Sequence, residues 1–521
     1  MSPHEFVRFF AAGVLLASAP LAQSRLVYRS PSSGFQVGQV LLSADGRHAA
    51  LAGGVGGSFS NLWLARLDGL EAPRLIAPAA GTHLMAQGGW LLYLEKLPDS
   101  MYLLKRLALD GVDAPVVLFP ERLSLGLTLG PGDTHVAFVD PIARRVHCAA
   151  VDGSTPPVMV SGSLLALSSP PPRFSVDGAR LLLLAEGPGG TYELHSAPLD
   201  ASSEPVAMYR GAAGESINFA RGVATPSGRF VFYVRPSMGP ARVLSVPIDG
   251  SAAALELTAA IGEYQPDGYQ LQVSPDGAWA VFNASRLLGP SSNRYWQKDL
   301  LLVPTDGSAS PRRLNGELPR GGNVADAVWG ASFTPDSQRF VYAADQAQDE
   351  RFELYSAALD VGSVPQRLSP SLPAGGDVDA DFLLTADEPC RVVFRADVAQ
   401  DELDELWSVP ADGSAPARRL NTPFPPGGLR DVFEFQLDHE RRTVLYVANE
   451  DGPFGVELHA VPSDGRHPDE RLSSIQSVDN PFLSIRGVSS RAGSTVFLRF
   501  QARFLALLDL YAHTAPHAAQ R

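Results

Sequence analysis

Two acidic segments could hold a cation. Asp345, Asp349, Glu350 and Glu353 recur 52 residues later as Asp397, Asp401, Glu402 and Glu405, and Asn449, Asp451 and Glu457 form a partial third copy. Carboxylate oxygens at this density are hard donors suited to Ca²⁺. That makes Asp345, Asp349, Glu350, Asp397, Asp401 and Glu402 candidate metal ligands, with calcium as the cofactor they would hold. The same residue types also occur at solvated hairpin tips, where Asp and Asn side chains cap the turn. Repetition reports only that a unit has been duplicated, so the capping reading is preferred and no cofactor is expected.

Other reactive groups are dispersed. The 11 histidines are scattered. His195 and His459 fall at the position that Tyr355 and Trp407 hold in related segments, which points to strand packing. His147 and Cys148 are adjacent, but neighbouring strand residues point to opposite faces. Cys148 and Cys390 are the only cysteines and have no ligand at short spacing, so two separate, mostly buried thiols are expected rather than a bridge. Arg312-Arg313 and Arg418-Arg419, with Arg367 matching them, could grip carboxylates of a ligand; the expectation is one arginine in solvent and one paired with an acidic loop. Trp279, Trp329 and Trp407 read as packing residues rather than a sugar platform. The sequon Asn283-Ala284-Ser285 means little if the host is bacterial. No G-x-S-x-G, H-E-x-x-H, P-loop or C-x-x-C pattern occurs, and no catalytic residue is assigned.

The elements that position these groups are legible as repeats. Glu353-Leu354-Tyr355-Ser356 matches Glu405-Leu406-Trp407-Ser408 and Glu457-Leu458-His459-Ala460, each running on to an Asp four residues later. Weaker copies end at Asp68, Asp110, Asp152, Asp200, Asp249 and Asp306. A turn precedes each copy, as in Ser274-Pro275-Asp276-Gly277 and Thr334-Pro335-Asp336-Ser337, with Ser43 to Gly46, Ser175 to Gly178 and Thr225 to Gly228 as variants. Pro presets φ, Asp satisfies local amides and Gly accepts positive φ. The short Val, Phe, Tyr and Leu runs between turns read as strands. Four strands in about 40–55 residues make one blade of a β-propeller. The expected class is therefore all-β, a β-propeller of four-stranded blades in one large ring or two rings.

The turn "SPDG" with its apolar run, followed by "EL[YW]S-V-P-x-D-G-S-x-x-x-R-R-L", resembles the TolB-type, WD-repeat-like propeller repeat. Propeller domains of prolyl-oligopeptidase-family and tricorn-like proteases carry the same repeat. The resemblance spans nearly all of the chain and implies the fold. An attached peptidase domain is not expected, because the repeats occupy the length it would need.

Nine third-strand motifs run from Asp68 to Asp464, and Leu507-Leu508-Asp509-Leu510-Tyr511 supplies a tenth. Propeller repeats are expected over 26–515, and in the two-ring alternative the split falls near 255, where the period changes. The last segment, from Phe482 to Tyr511, is expected to pair with the strand at Leu26-Val27-Tyr28, which would remove exposed edges. Residues 516–521 form a tail. At the other end Arg8, the apolar run Phe9 to Leu16 and the small residues up to Ala22 read as a secretory signal over 1–22. That implies a periplasmic or secreted protein, and no later stretch is long and apolar enough to span a membrane.

Hydrophobic residues at 45% supply a core, while a net charge of −14 disfavours phosphate binding and excludes nucleic acid as the expected partner. The function expected is a noncatalytic scaffold that binds a protein or peptide. The alternative is a propeller hydrolase or lyase with its active site at a central channel. Histidine, aspartate and arginine converging on one channel mouth would favour the enzyme.

Overall fold

The computed structural model describes residues 25–514 apart from short segments, the longest being 30–34, 56–60, 326–330, 425–430, 450–454, 477–482 and 502–506. The signal over 1–22, the tail over 516–521, Trp329 and Asp451 lie outside the described residues.

The described residues form ten four-stranded antiparallel sheets, each a blade of a β-propeller. In chain order the blades cover 35–77, 80–123, 127–159, 173–210, 216–256, 265–313, 331–367, 378–419 and 432–476, and the tenth joins 483–514 to Arg25–Arg29. No α-helix occurs among the described residues; two three-residue 3-10 turns do, at Pro131–Asp133 and Pro188–Gly190. Among the described residues no helix is long and apolar enough to cross a membrane. The tenth blade confirms the expected pairing of the two ends. Arg25–Arg29 runs antiparallel to Leu507–Thr514, with Leu26 opposite Tyr511.

The middle strands explain the apolar runs. Arg229–Arg235 reads RFVFYVR, and its five central residues are all buried. A blade lies between two neighbours, so its inner strands are covered on both faces and need not alternate. Each such Phe or Val contributes about 1.5–3 kcal/mol by leaving water.

The chain divides into two compact units. The first comprises 1–120, 422–462 and 466–521, and holds blades 1, 2, 9 and 10, with the boundary inside the last strand of blade 2. Leu62, Tyr93 and Leu107 join its first two blades in one core. The second comprises 121–421 and 463–465, and holds blades 3 to 8. There every adjacent pair of blades shares an apolar cluster, for example Phe219 and Phe230 with Leu182, and Tyr342 with Leu300. Residue 255 opens the last strand of blade 5, Leu255–Glu256, and Val243 and Leu257 of that region pack with Ala280 and Phe282 of blade 6.

Candidate functional site

The recurring turn is a hydrogen-bonded knot. Ser274 Oγ donates to Asp276 Oδ1 at 2.5 Å, the Trp279 amide donates back to Ser274 Oγ at 2.9 Å, and the Ala278 amide reaches Asp276 Oδ1 at 3.0 Å. Ser175 with Asp177 and Thr334 with Asp336 repeat the arrangement. Gly277 sits at φ +78, where a Cβ would also lie 2.9 Å from Pro226. Ser337 takes φ 59 at the matching place.

Each knot sets the first residue of the next strand. That residue is arginine in four blades of the larger unit, and it clamps a serine on the adjacent strand. Arg180 Nε donates to Ser196 Oγ at 2.5 Å, Arg229 to Ser245 at 2.7 Å, Arg339 to Ser356 at 2.7 Å and Arg391 to Ser408 at 2.8 Å. The charges of Arg180, Arg229 and Arg339 act on the Asp of the following blade's Asp-Gly turn, Asp249, Asp306 and Asp412. Hydrogen bonds from Ser251 and Ser308 hold the Asp249 and Asp306 carboxyls below their usual range, and the charges of Arg180 and Arg229 add to this.

Around these groups, blades 4, 5 and 6 form an open groove of about 830 Å³. Asp177, Arg180, Arg229, Asp249, Asp276 and Trp279 line it, together with Pro226, Pro247 and Pro304. Its volume is in the range of about 300–1,000 Å³ usual for ligand sites. The sequence signal for its arginines was present, since an arginine follows four of the turns and a serine lies 16 or 17 residues on, but reading the turns only as punctuation missed it.

The six candidate metal residues are not brought together. Asp345 is buried and accepts amides on both oxygens, from Asn323 on Oδ1 and from Glu350 on Oδ2 at 3.1 Å. Asp397 is buried and does the same with Asp377 and Glu402. Asn449 accepts the Asp431 amide in the third copy. These side chains cap backbone, as the preferred reading held, but they are buried instead of solvated. Only Asp349, Glu350, Asp401 and Glu402 stand at exposed hairpin tips, with Glu350 and Glu402 at φ 62 and 60. Among the described residues no three or more His, Cys, Asp or Glu side chains converge in a way that could hold a metal ion.

A third set of acids sits inside the blades. Glu193, Asp299, Glu353, Glu405 and Glu457 hold one strand position and are all buried. Arg367 pairs with Glu353 at 3.0 Å and Arg419 with Glu405 at 2.5 Å. The partner of these arginines is thus a buried strand glutamate of their own blade, not an acidic loop. The first residue of each Arg pair turns to the next blade instead, with Arg312 on the Leu359 and Asp360 carbonyls and Arg418 on the Gly465 carbonyl.

The histidines serve the same interior. His195 Nε2 lies 3.0 Å from Glu193 Oε2, and at the matching place Tyr355 donates to Glu353 Oε2 at 2.7 Å. Burial depresses the His195 pKa, with Glu193 opposing. His459 contacts Asp469 at 2.8 Å and stacks on Tyr446, and His147 stacks on Phe138. Cys148 and Cys390 are free thiols, the first buried with its pKa pushed up to about 11 by burial, the second half-buried. Asn283 is fully buried.

No protein-family model matches the sequence, and no curated protein matches it. Solved structures do. The chain is similar to dipeptidyl peptidase 4 from Porphyromonas gingivalis at 12% identity and a TM-score of 0.42, over 74% of this chain and 59% of that one. It is similar to a putative TolB from Agrobacterium tumefaciens at 17% identity and a TM-score of 0.28, over 52% of this chain and 85% of that one. It is also similar to an oligogalacturonate lyase solved with manganese, at 15% identity and a TM-score of 0.33, over 65% of this chain and 98% of that one.

Proposed function

We propose that this chain is an exported, noncatalytic β-propeller scaffold that binds a protein or peptide partner, in the periplasm or outside the cell, through the groove of blades 4 to 6. The observation that carries the reading is the use of its acid and base groups. Buried acids and histidines of the described blades are engaged by partners at matching strand positions, as Glu193 is by His195, Glu353 by Tyr355 and Arg367, and Glu405 by Arg419. A group so engaged and buried inside the sheets holds its blade and lies out of contact with a substrate, which a general acid or base must reach. The groove is different: it is open, ionised and built from turns that need nothing further to stay folded.

The test is selection of peptides from an unbiased display library on the purified protein. Bound peptides should be enriched and should lose affinity for Ala278→Trp, which fills the groove from an exposed position. Absence of enrichment, or enriched peptides indifferent to the substitution, would remove the reading. Turnover of chromogenic ester or uronide substrates would replace it with an enzymatic one. Export is checked separately by N-terminal sequencing of protein from the periplasmic fraction, where a chain retaining Met1 would count against it.

A further inference from the structure

Of the three blades that line the groove, two carry the arginine–serine clamp and blade 6 does not. Where Arg180, Arg229, Arg339 and Arg391 stand in sister blades, blade 6 has Trp279, and where they clamp Ser196, Ser245, Ser356 and Ser408, it has Leu302. Both halves of the clamp are exchanged together. The indole rests half-buried on the apolar cluster that contains Leu302 and Val281, and lines the groove.

The exchange changes the electrostatics locally. Arg180 lies near both Asp177 and Asp249, and Arg229 lies near Asp306, so three of the groove's carboxylates share two guanidinium groups. Asp276 has Trp279 in place of the arginine that its sister turns provide. Its Oδ1 takes the Ser274 hydroxyl and the Ala278 amide, and its Oδ2 has no hydrogen-bond partner among the described residues, a pattern that Asp177 and Asp336 share in their own turns. A carboxylate and an aromatic ring that line one groove can each attract a cation, through ion pairing and through the negative face of the ring.

Resting on the binding reading above, we infer that the groove takes an extended peptide bearing basic side chains, one of which is anchored between Asp276 and Trp279. The groove crosses three consecutive blades, which suits a chain more than a single side chain. The prolines in its lining, Pro226, Pro247 and Pro304, offer apolar contact to the aliphatic stems of lysine or arginine. Its carboxylates outnumber its arginines, so it repels acidic peptides.

The test uses a fluorescein-labelled heptapeptide of alternating alanine and lysine, with glutamate and norleucine counterparts, followed by anisotropy at low and moderate salt. Asp276→Asn keeps the turn acceptor and removes the charge. The double variant Trp279→Arg/Leu302→Ser rebuilds the clamp of the sister blades, and thermal melting verifies that it folds. The lysine peptide should bind the natural protein and bind either variant about tenfold or more weakly. The inference is overturned if the lysine peptide does not bind, if both variants bind it as the natural protein does, or if the glutamate peptide binds equally well. In each of those cases, library peptides that are blocked by Ala278→Trp would leave the scaffold reading standing, and their absence would end both.

Discussion

Arg242 reaches Glu256 across adjacent strands of blade 5, with Nη1 3.2 Å from Oε2, and two sister blades hold the reverse charges at the same positions, Glu353 with Arg367 and Glu405 with Arg419. The offset is 14 residues in each case. These three blades therefore keep a matched pair there in either direction, because what is costly in a covered site is a charge without its partner.

Arg419→Glu should accordingly destabilise the protein, and Glu405→Arg/Arg419→Glu should recover most of the loss. Breaking a buried pair costs about 3–5 kcal/mol, and exposure of the Arg419 side chain brings this to about 2 kcal/mol. Urea unfolding of the three proteins measures it. A double variant no better than the single would show that direction matters.

Acid should weaken the blade at 432–476. Burial works against charge on Asp469, but hydrogen bonds from His459, Tyr446 and Thr422 outweigh it and hold its pKa down to about 2. A folded pKa below the unfolded value stabilises above about pH 4, and that contribution fades as pH falls towards 2. Asp469→Asn should be less stable than the natural protein at pH 7, by roughly 2 kcal/mol, and the difference should vanish near pH 2. Melting curves across that window check it.

Asp377 should behave in the opposite sense. Burial raises its pKa, and Asp397 and Asp401 add to the rise. Its ionised form is therefore a burden at neutral pH, and one that grows as pH rises through the folded pKa. Sister blades avoid it by placing Asn323 opposite Asp345, and Asp431 opposite Asn449. Asp377→Asn keeps an acceptor for the Phe352 amide. It should raise the melting temperature at pH 7, and the gain should shrink below pH 4 as the natural residue becomes neutral.

Calcium should leave the melting temperature unchanged. Both oxygens of Asp345 and of Asp397 are occupied by backbone amides, which leaves the exposed tips without a buried carboxylate to complete a site. A site saturated to 100 times its Kd would add about 2.7 kcal/mol. Melting in EDTA and then in millimolar CaCl₂ decides the matter, and a clear rise would return Asp349, Glu350, Asp401 and Glu402 to candidate ligands.

The blades were legible because their signals are local. The turn at Ser274 to Gly277 states its own hydrogen bonds, and the matched residues Glu353, Glu405 and Glu457 announce one strand position. The tenth blade could be read because Leu507 to Tyr511 keeps the same pattern. What sequence could not supply was partnership across blades. That Arg312 turns to the Leu359 carbonyl while Arg419 turns inward to Glu405 depends on which side of a strand faces the next sheet. The groove was hidden for the same reason. Its residues are about 50 apart along the chain, and each looked complete within its own turn.

The pairing of Arg25–Arg29 with Leu507–Thr514 puts a condition on when this protein can finish folding. The earlier strand must wait, with no hydrogen-bonded strand partner, until the later one has emerged. The entropy of that long closure is modest, since each doubling of loop length adds only about 0.6 kcal/mol. The delay is the greater burden, because a waiting strand edge can pair with the wrong chain. A truncation within Leu507–Thr514 would make the wait permanent, so this short strand governs solubility more than its length suggests.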